Sequence, residues 1–231
     1  MLVERFSTGR VRPKQAARGA RRYLPGAWSS ATLPVNVFLV HHPDGLCLFD
    51  AGQTADAARP GYFPRWHPFL RLARFELQQE DEIGAQIDPA TVRWVVLSHL
   101  HTDHVGGIGP FAGAEVIVSR VEWERAQGVR GRLRGYLLQQ WPLPEPVQVD
   151  LVGPPVGPFA GSFDVAGDGR LVLVPTPGHT PGHVALIARD EESGFFVGGD
   201  VAESRDDLPA EIADFCEQER LTVLLAHDGD G

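Results

Sequence analysis

Cysteine, lysine and long apolar runs are all scarce in this 231-residue chain, and each scarcity excludes a class of protein. The two cysteines, Cys47 and Cys216, are too few for a disulfide framework, and their apolar surroundings predict buried free thiols. No apolar run approaches the roughly 18 residues that a membrane helix needs. The N-terminus also lacks the apolar stretch of a signal peptide. These absences predict a cytoplasmic protein with no membrane partner.

Basic residues are outnumbered by acidic ones, which gives a formal net charge of -9. Nucleic-acid binding needs a concentrated basic surface, so the charge argues against such a partner. The early part of the chain is the exception, because residues 1–22 are rich in arginine and contain Lys14, the only lysine. We predict that residues 1–34 form a basic, solvated arm leading into the first strands of a single domain that spans residues 1–231.

Short apolar runs rich in β-branched residues recur along the chain and are typical of β-strands. They fall at residues 35–40, 46–49, 93–97, 115–118, 171–174, 184–187, 195–197 and 222–225. Helical patterns occur at residues 76–87, 119–127 and 208–220, with Ser119 and Asp207 as N-caps. Because strands cluster early and late, each group followed by helical segments, the pattern favours an α/β fold of two packed sheets with helices outside.

The densest set of chelating side chains follows the apolar run at residues 93–97. It reads Ser98-His99-Leu100-His101-Thr102-Asp103-His104. In extended backbone His99, His101 and Asp103 would point the same way, and a turn over residues 102–105 would bring His104 beside them. Imidazoles with a carboxylate suit Zn, Fe, Co or Mn, whereas a chance group of surface histidines would produce this pattern in about one such chain in a thousand. The segment therefore predicts a metal site.

The His-x-His-x-Asp-His pattern after an apolar strand resembles the signature of the metallo-β-lactamase superfamily. Three further family ligands follow in the expected order, each just after a predicted strand: His179 in a Pro-Gly-His turn, Asp200 in a Gly-Asp step, and His227 near the C-terminus. The resemblance implies the four-layer αββα sandwich of that superfamily. It also implies two divalent metal ions, most simply Zn, with Fe, Mn or Co as alternatives. By the same resemblance one metal is held by His99, His101 and His179, the second by Asp103, His104 and His227, and Asp200 bridges both.

Two adjacent dications would acidify a shared water, so that a metal-bridging hydroxide attacks a carbonyl that the metals polarise. Asp103 is the predicted catalytic residue, accepting or relaying a proton. An aspartate at position 200 can span two metals about 3.5 Å apart. The classical antibiotic-degrading members carry a cysteine here that binds one metal, so the resemblance disfavours β-lactamase activity.

Within the superfamily the chain most resembles the N-acyl homoserine lactone lactonases, by its ligand set and its Thr-Pro-Gly-His-Thr-Pro-Gly-His string. This resemblance implies hydrolysis of a lactone or ester and a quorum-quenching role. Glu203 departs from the pattern, because those enzymes place a substrate-contacting tyrosine at this point and an ionised carboxylate cannot donate a hydrogen bond. Tyr62 and Tyr136 are candidate replacements.

Five other side chains are given supporting roles by the sequence. Asp50 and His183 are predicted to orient metal ligands from behind, although Asp50 could equally form an Asx turn. Phe63 and Trp66, with Phe69 from the same aromatic segment, either line an acyl-binding pocket or anchor their own loop.

Other functions fit the same ligands. Thioester or phosphotriester hydrolysis would change only the bond that is cleaved. A catalytically silent metal-binding scaffold and a redox di-iron centre belong to other functional classes, and a homodimer is compatible with any of these.

Overall fold

The computed structural model describes residues 1–14, 27–67, 72–191 and 194–229, which fold around two β-sheets. Phe69 lies outside these ranges. Within them, the first sheet contains β1 (Leu2–Pro13), β2 (Leu33–His42), β3 (Gly45–Phe49), β4 (Ala73–Glu76), β5 (Val92–Val96), β6 (Glu115–Ser119) and β7 (Val147–Val149). The second contains β8 (Phe163–Asp164), β9 (Leu171–Pro175), β10 (Val184–Arg189), β11 (Gly194–Val197) and β12 (Leu221–Leu224).

Strand direction brings several strand ends to one edge of the molecule. The first sheet has the order β4-β1-β2-β3-β5-β6-β7, and β3, β5, β6 and β7 run parallel. The second has the order β12-β11-β10-β9-β8. Because β10 is antiparallel to both β9 and β11, while β11 is parallel to β12, the strands β9, β11 and β12 all end at the same edge.

The helices lie outside the two sheets. They are α1 (Ile83–Gln86), α2 (Thr102–Val105), α3 (Arg120–Ala126), α4 (Gly128–Leu133) and α5 (Ala210–Gln218). None of the described helices is both long and apolar enough to cross a membrane.

Three apolar clusters separate the layers, because successive side chains of a strand point to opposite faces of its sheet. Phe49 and Trp94 of the first sheet meet Leu186 of the second in the cluster between the sheets. Leu48, the neighbour of Phe49, instead belongs to the cluster on the outer face of the first sheet. Phe215 of α5 belongs to the cluster on the outer face of the second. The predicted four-layer α/β sandwich is confirmed.

Local predictions succeed where a strand is continuously apolar and is buried on both faces, as in β9 and β10. All eight predicted strands form, and Ser119 caps α3 by accepting a hydrogen bond of 3.1 Å from the backbone N–H of Glu122. The predicted cap at Asp207 is wrong. Asp207 ends a short 3₁₀ turn, and α5 begins after Pro209.

The long helix predicted over residues 76–87 is also wrong. A 3₁₀ turn at Gln79–Asp81 and the short α1 are separated by Glu82, which has extended backbone angles. The Glu82 carboxylate accepts hydrogen bonds from the hydroxyl of Thr54 and the backbone N–H of Ala55. These tertiary contacts take the place of the helical hydrogen bonds that the predicted helix would make at Glu82.

The predicted solvated N-terminal arm is wrong for residues 2–13, which form β1 and pair with both β2 and β4. The arginines that suggested an arm belong to the sheet instead. Arg12, for example, forms an ion pair of 2.9 Å with Glu76 of β4. When charged side chains cover the exposed face of a strand, the overall composition suggests a polar segment. The alternation of polar and apolar residues along the strand is then overlooked.

Candidate metal centre

Four loops at the shared strand edge carry the seven predicted ligands. The His99–His104 segment follows β5, His179 follows β9, Asp200 follows β11 and His227 follows β12. Backbone hydrogen bonds hold the two sheets together here, from Val184 N–H to the Ser98 carbonyl at 3.0 Å and from Asn36 N–H to the Ala226 carbonyl at 2.8 Å. Parallel strand ends held in this way bring residues from positions 99 to 227 to one place.

The first three histidines face one another closely. His101 Nδ1 lies 3.0 Å from His99 Nε2 and 3.0 Å from His179 Nε2. His99 is fully buried, whereas His179 lies at the rim with its side chain 37% exposed. The trio therefore has a closed side and a side open to solvent.

The remaining ligands form a second group around Asp200. Asp103, His104 and His227 place their ligand atoms within 4.8 Å of one another. Asp200 Oδ1 lies 3.4 Å from Nε2 of both His104 and His227. Asp200 Oδ2 lies 3.5 Å from Nε2 of His179, which belongs to the first trio. The Asp200 carboxylate thus stands between the two groups.

The backbone path to these ligands differs from the predicted one. β5 ends at Val96, and Asp103 and His104 both lie in the single turn of α2. Strand alternation therefore does not account for the direction of the Asp103 side chain. A helical turn places successive residues about 100° apart, which lets both ligands face the same group.

In three of the predicted ligand histidines, the ring nitrogen that faces away from the cluster has a partner of its own. His104 Nδ1 contacts Asp50 Oδ2 at 2.8 Å, His227 Nδ1 contacts the Pro34 carbonyl at 2.8 Å, and His99 Nδ1 contacts the Ser98 hydroxyl at 3.0 Å. Such contacts set the ring orientation and the tautomer of a ligand histidine. The remaining nitrogens are left to point into the cluster.

Asp50 and His183 lie directly behind the ligands. Asp50 has a positive φ of 62° and accepts hydrogen bonds from both the N–H and the hydroxyl of Ser98, besides contacting His104. His183 accepts from the backbone N–H of Asp200 at 3.1 Å and contacts the Thr176 hydroxyl at 2.7 Å. Both contact ligands or their backbones.

The protonation of the imidazoles differs between the two groups. Burial lowers the pKa of His101 to about 3 and that of His99 well below its ordinary value, so both rings are neutral at pH 7. Burial also opposes the charge on His104 and His227, but neighbouring carboxylates outweigh it, Asp200 for both rings together with Asp50 for His104 and Asp103 for His227. The pKa of His227 is raised to about 9 and that of His104 well above its ordinary value. A cation in the second group would take the place of these protons.

The donor set fits divalent metal. Neither His104 Nε2 nor Asp200 Oδ1 has a hydrogen-bond partner within the described part of the chain, although both atoms are buried. Burying a polar atom without a partner costs free energy. In this site His104 Nε2 and Asp200 Oδ1 face each other at 3.4 Å. Imidazole nitrogens with carboxylate oxygens are the ligands that Zn, Fe, Mn and Co accept.

The predicted substrate residues are scattered. Phe63 is buried in a small cluster with Ala57 and Leu137, and Trp66 is 50% exposed. Glu203 is exposed. Of the two candidate tyrosines, Tyr136 is fully buried, whereas Tyr62 is half-buried with its hydroxyl 3.5 Å from the Thr102 hydroxyl.

A cavity of about 450 Å³ lies beside the ligand segment. Tyr62 and Thr102 form part of its wall, and Thr102 lies between two of the predicted ligands. Much of the remaining wall is apolar: Leu100, Val105, Ile108, Pro110, Leu137, Leu138, Trp141 and Pro142. Phe63 and Trp66, the residues predicted to wall a pocket, are not among the described residues that line this one.

Sequence reasoning gave no role to Ser98 or Glu122, both of which are buried next to ligand segments, and it considered Tyr136, which is also buried there, only as a substrate contact. A Ser-x-x-Glu pattern at residues 119–122 was visible in the sequence, but it is typical of an exposed helix start. For Ser98 the sequence carries no comparable signal.

This four-layer sandwich, with seven histidine and aspartate side chains gathered where its strands end, defines an α/β protein built around a candidate metal centre. The profile of the Metallo-beta-lactamase superfamily matches residues 31–227, which is most of the chain. The chain belongs to the metallo-β-lactamase superfamily.

Among curated proteins, the chain is 35% identical over 174 residues to N-acyl homoserine lactonase AttM of Azorhizobium caulinodans, covering 70% of this chain and 62% of that one. It is 36% identical over 162 residues to a probable metallo-hydrolase of Mycobacterium tuberculosis, covering 65% and 51%. The matched regions thus span less than two thirds of the length of these relatives.

Solved structures show the same fold at lower identity. An N-acyl homoserine lactone hydrolase with the product N-hexanoyl-L-homoserine at its catalytic metal center has a TM-score of 0.70 at 21% identity, covering 98% of this chain and 92% of that one. AidC, a dizinc quorum-quenching lactonase, has a TM-score of 0.62 at 15% identity, covering 97% and 86%.

Proposed function

We propose that this protein is a metal-dependent hydrolase that opens lactones, with N-acyl homoserine lactones as its substrates, in a single cytoplasmic domain. The observation that carries the proposal is the convergence of seven ligand side chains into two groups that share Asp200. The names of several relatives, N-acyl homoserine lactonases, support the choice of substrate.

Two divalent cations, Zn in the first instance, fit these groups. One would be held by His99, His101 and His179, the other by Asp103, His104 and His227, with Asp200 contacting both. When bound, such a pair acidifies water and polarises the carbonyl of an ester.

Asp103 is the residue we assign to proton transfer. Its Oδ2 lies 3.8 Å from His227 Nε2 and the residue keeps a small exposed fraction, so it faces the ligand cluster and stays within reach of solvent. A carboxylate there can take the proton of the attacking water and return it to the leaving alcohol oxygen of the lactone.

Tyr62 is the hydrogen-bond donor that we assign to the substrate in place of the tyrosine absent at Glu203. Burial raises the pKa of Tyr62 above its ordinary value of 10, so its hydroxyl keeps its proton at neutral pH. The hydroxyl lies next to Thr102, in the cavity wall beside Asp103. Tyr136 cannot take this part, because it is buried against His101.

The experiment that tests the proposal measures acid release during lactone opening, with homoserine lactones carrying butanoyl to dodecanoyl chains. A thioester and a phosphotriester complete the panel. We expect the lactones to be the best substrates, with turnover lost on chelation and restored by Zn. Turnover that survives complete metal removal would contradict the metal mechanism, and a faster thioester or phosphotriester would assign a different bond.

The cavity predicts the position of the acyl chain, and Gly109→Leu tests it. A Cβ at Gly109 would lie 3.9 Å from Pro142 across the cavity, so a leucine side chain would fill part of the space. Displacing about two methylenes costs about 1.6 kcal/mol, so kcat/KM for long-chain lactones should fall on the order of tenfold while short chains are little affected.

Gly113→Leu is the matched control, because a Cβ at Gly113 meets no atom within 4 Å and the residue is exposed outside the cavity. An equal loss for short and long chains in Gly109→Leu would show that the acyl chain lies elsewhere.

A further inference from the structure

The carboxylate of Glu122, in α3, is fully buried and contacts two ligand loops at once. Its Oε1 accepts a hydrogen bond of 3.1 Å from the backbone N–H of Leu100. Its Oε2 accepts from the Thr180 hydroxyl at 2.8 Å and from the Gly182 N–H at 3.2 Å. Leu100 lies between two of the proposed ligand histidines, and Thr180 directly follows a third. Each oxygen of one carboxylate therefore holds a different ligand loop.

The start of α3 contacts the second of these loops by a further route. The Ser119 hydroxyl donates to the Gly182 carbonyl at 2.6 Å. A Cβ at Gly182 would lie 2.2 Å from the backbone nitrogen of Glu122, so only glycine permits the observed approach. The Pro-Gly-His loop is thus seated directly on the helix that carries Glu122.

Tyr136 connects the same carboxylate to a ligand ring. Its aromatic ring stacks on His101, with centroids 5.3 Å apart and planes at 27°. Its hydroxyl lies close enough to the side chains of Glu122 and Thr180 for both to influence its pKa. Burial and the Glu122 charge raise the pKa of Tyr136, so the hydroxyl remains a donor. Glu122 therefore affects the first trio through both backbone loops and through the face of His101.

A buried carboxylate is tolerated when its oxygens accept several hydrogen bonds, and charge-assisted bonds are stronger than neutral ones. Glu122 meets this condition with three donors, all of which belong to the loops that carry the first trio. In a capping box the glutamate would instead turn back to the N–H of its own helix cap. The Glu122 side chain therefore binds the two ligand loops and does not cap its own helix.

We propose that Glu122 is a positioning residue that sets the separation of His101 from His179, and thereby the affinity of the first trio for metal. The proposal rests on the proposed function, because it requires that His99, His101 and His179 bind a metal ion. Glu122 itself contacts neither metal nor substrate.

Glu122→Gln is the first test, because the substitution keeps the shape of the side chain but replaces one acceptor oxygen with a donor. Its amide nitrogen would then face either Leu100 N–H or the Thr180 and Gly182 donors. We expect Zn affinity, measured by competition with a chromophoric chelator, to fall about 10- to 100-fold, as for other residues that orient ligands. Glu124→Gln is the matched control, since Glu124 lies exposed on the same helix.

Thr180→Val keeps the test decisive if Glu122→Gln does not fold, because valine matches threonine in shape and removes one donor. We expect a three- to tenfold loss of Zn affinity in the folded Thr180→Val protein. A purely structural role for Glu122 would lower the melting temperature and leave the Zn affinity of the folded variants within twofold of the parent, which would overturn the proposal. A parent protein that binds no Zn would instead refute the proposed function.

Discussion

Replacement of Asp200 by asparagine is expected to lower kcat/KM for lactone opening by about three orders of magnitude, or about 4 kcal/mol of transition-state stabilisation. The reason is the position of the Asp200 carboxylate between the two groups. Asp200 Oδ1 faces His104 and His227, and Asp200 Oδ2 faces His179, so one side chain contacts both proposed metal groups. Asparagine keeps the shape but removes the negative charge and turns an acceptor into a donor. Metal content measured by elemental analysis should fall from two ions per chain to one or none.

The control is Asp206→Asn, which removes an equal charge from an exposed residue six positions away and should keep full activity. Two ions per chain and unchanged kcat/KM in Asp200→Asn would contradict the bridging role of this carboxylate. The loss of charge alone cannot mimic the expected result, because both variants lose the same charge.

Removal of metal is expected to lower the melting temperature by about 8–16 °C. A ligand present at a thousand times its Kd stabilises a fold by about 4 kcal/mol, and each kcal/mol changes the melting temperature of a chain of this size by about 2–4 °C. Without a cation, the buried His104 Nε2 and Asp200 Oδ1 have no hydrogen-bond partner among the described residues. Scanning calorimetry of metal-free and Zn-loaded protein measures the difference.

Calcium is the matched control for this measurement, because it prefers oxygen ligands and should not replace Zn at a site rich in imidazole. Melting temperatures that agree within about 2 °C with and without Zn would contradict a metal centre coupled to folding.

Much of the fold could be predicted from the sequence because its core strands are short, apolar and β-branched. The eight predicted strands all form, from residues 35–40 to residues 222–225. The motif around His99 also predicted a cluster of metal ligands, since three histidines and an aspartate rarely occur within six residues for another reason. These features are local, and local features can be read without knowing the fold.

The errors share a different cause, which is that tertiary contacts override local pattern. Residues 2–13 are arginine-rich but complete a sheet edge, and Glu82 interrupts a helical pattern by bonding to Thr54 and Ala55. In each case the deciding partner lies far away in the sequence.

Residue chemistry alone determined which side chains could bind a metal in this protein, because imidazole and carboxylate are ligands wherever they occur. Tertiary structure alone decided the distances: Asp200 lies 3.4 Å from His104 and 3.5 Å from His179, Ser98 lies behind the ring of His99, and Glu122 joins two loops. These relations depend on distances between chain segments many residues apart, which are set when the two sheets pack and their strand ends meet.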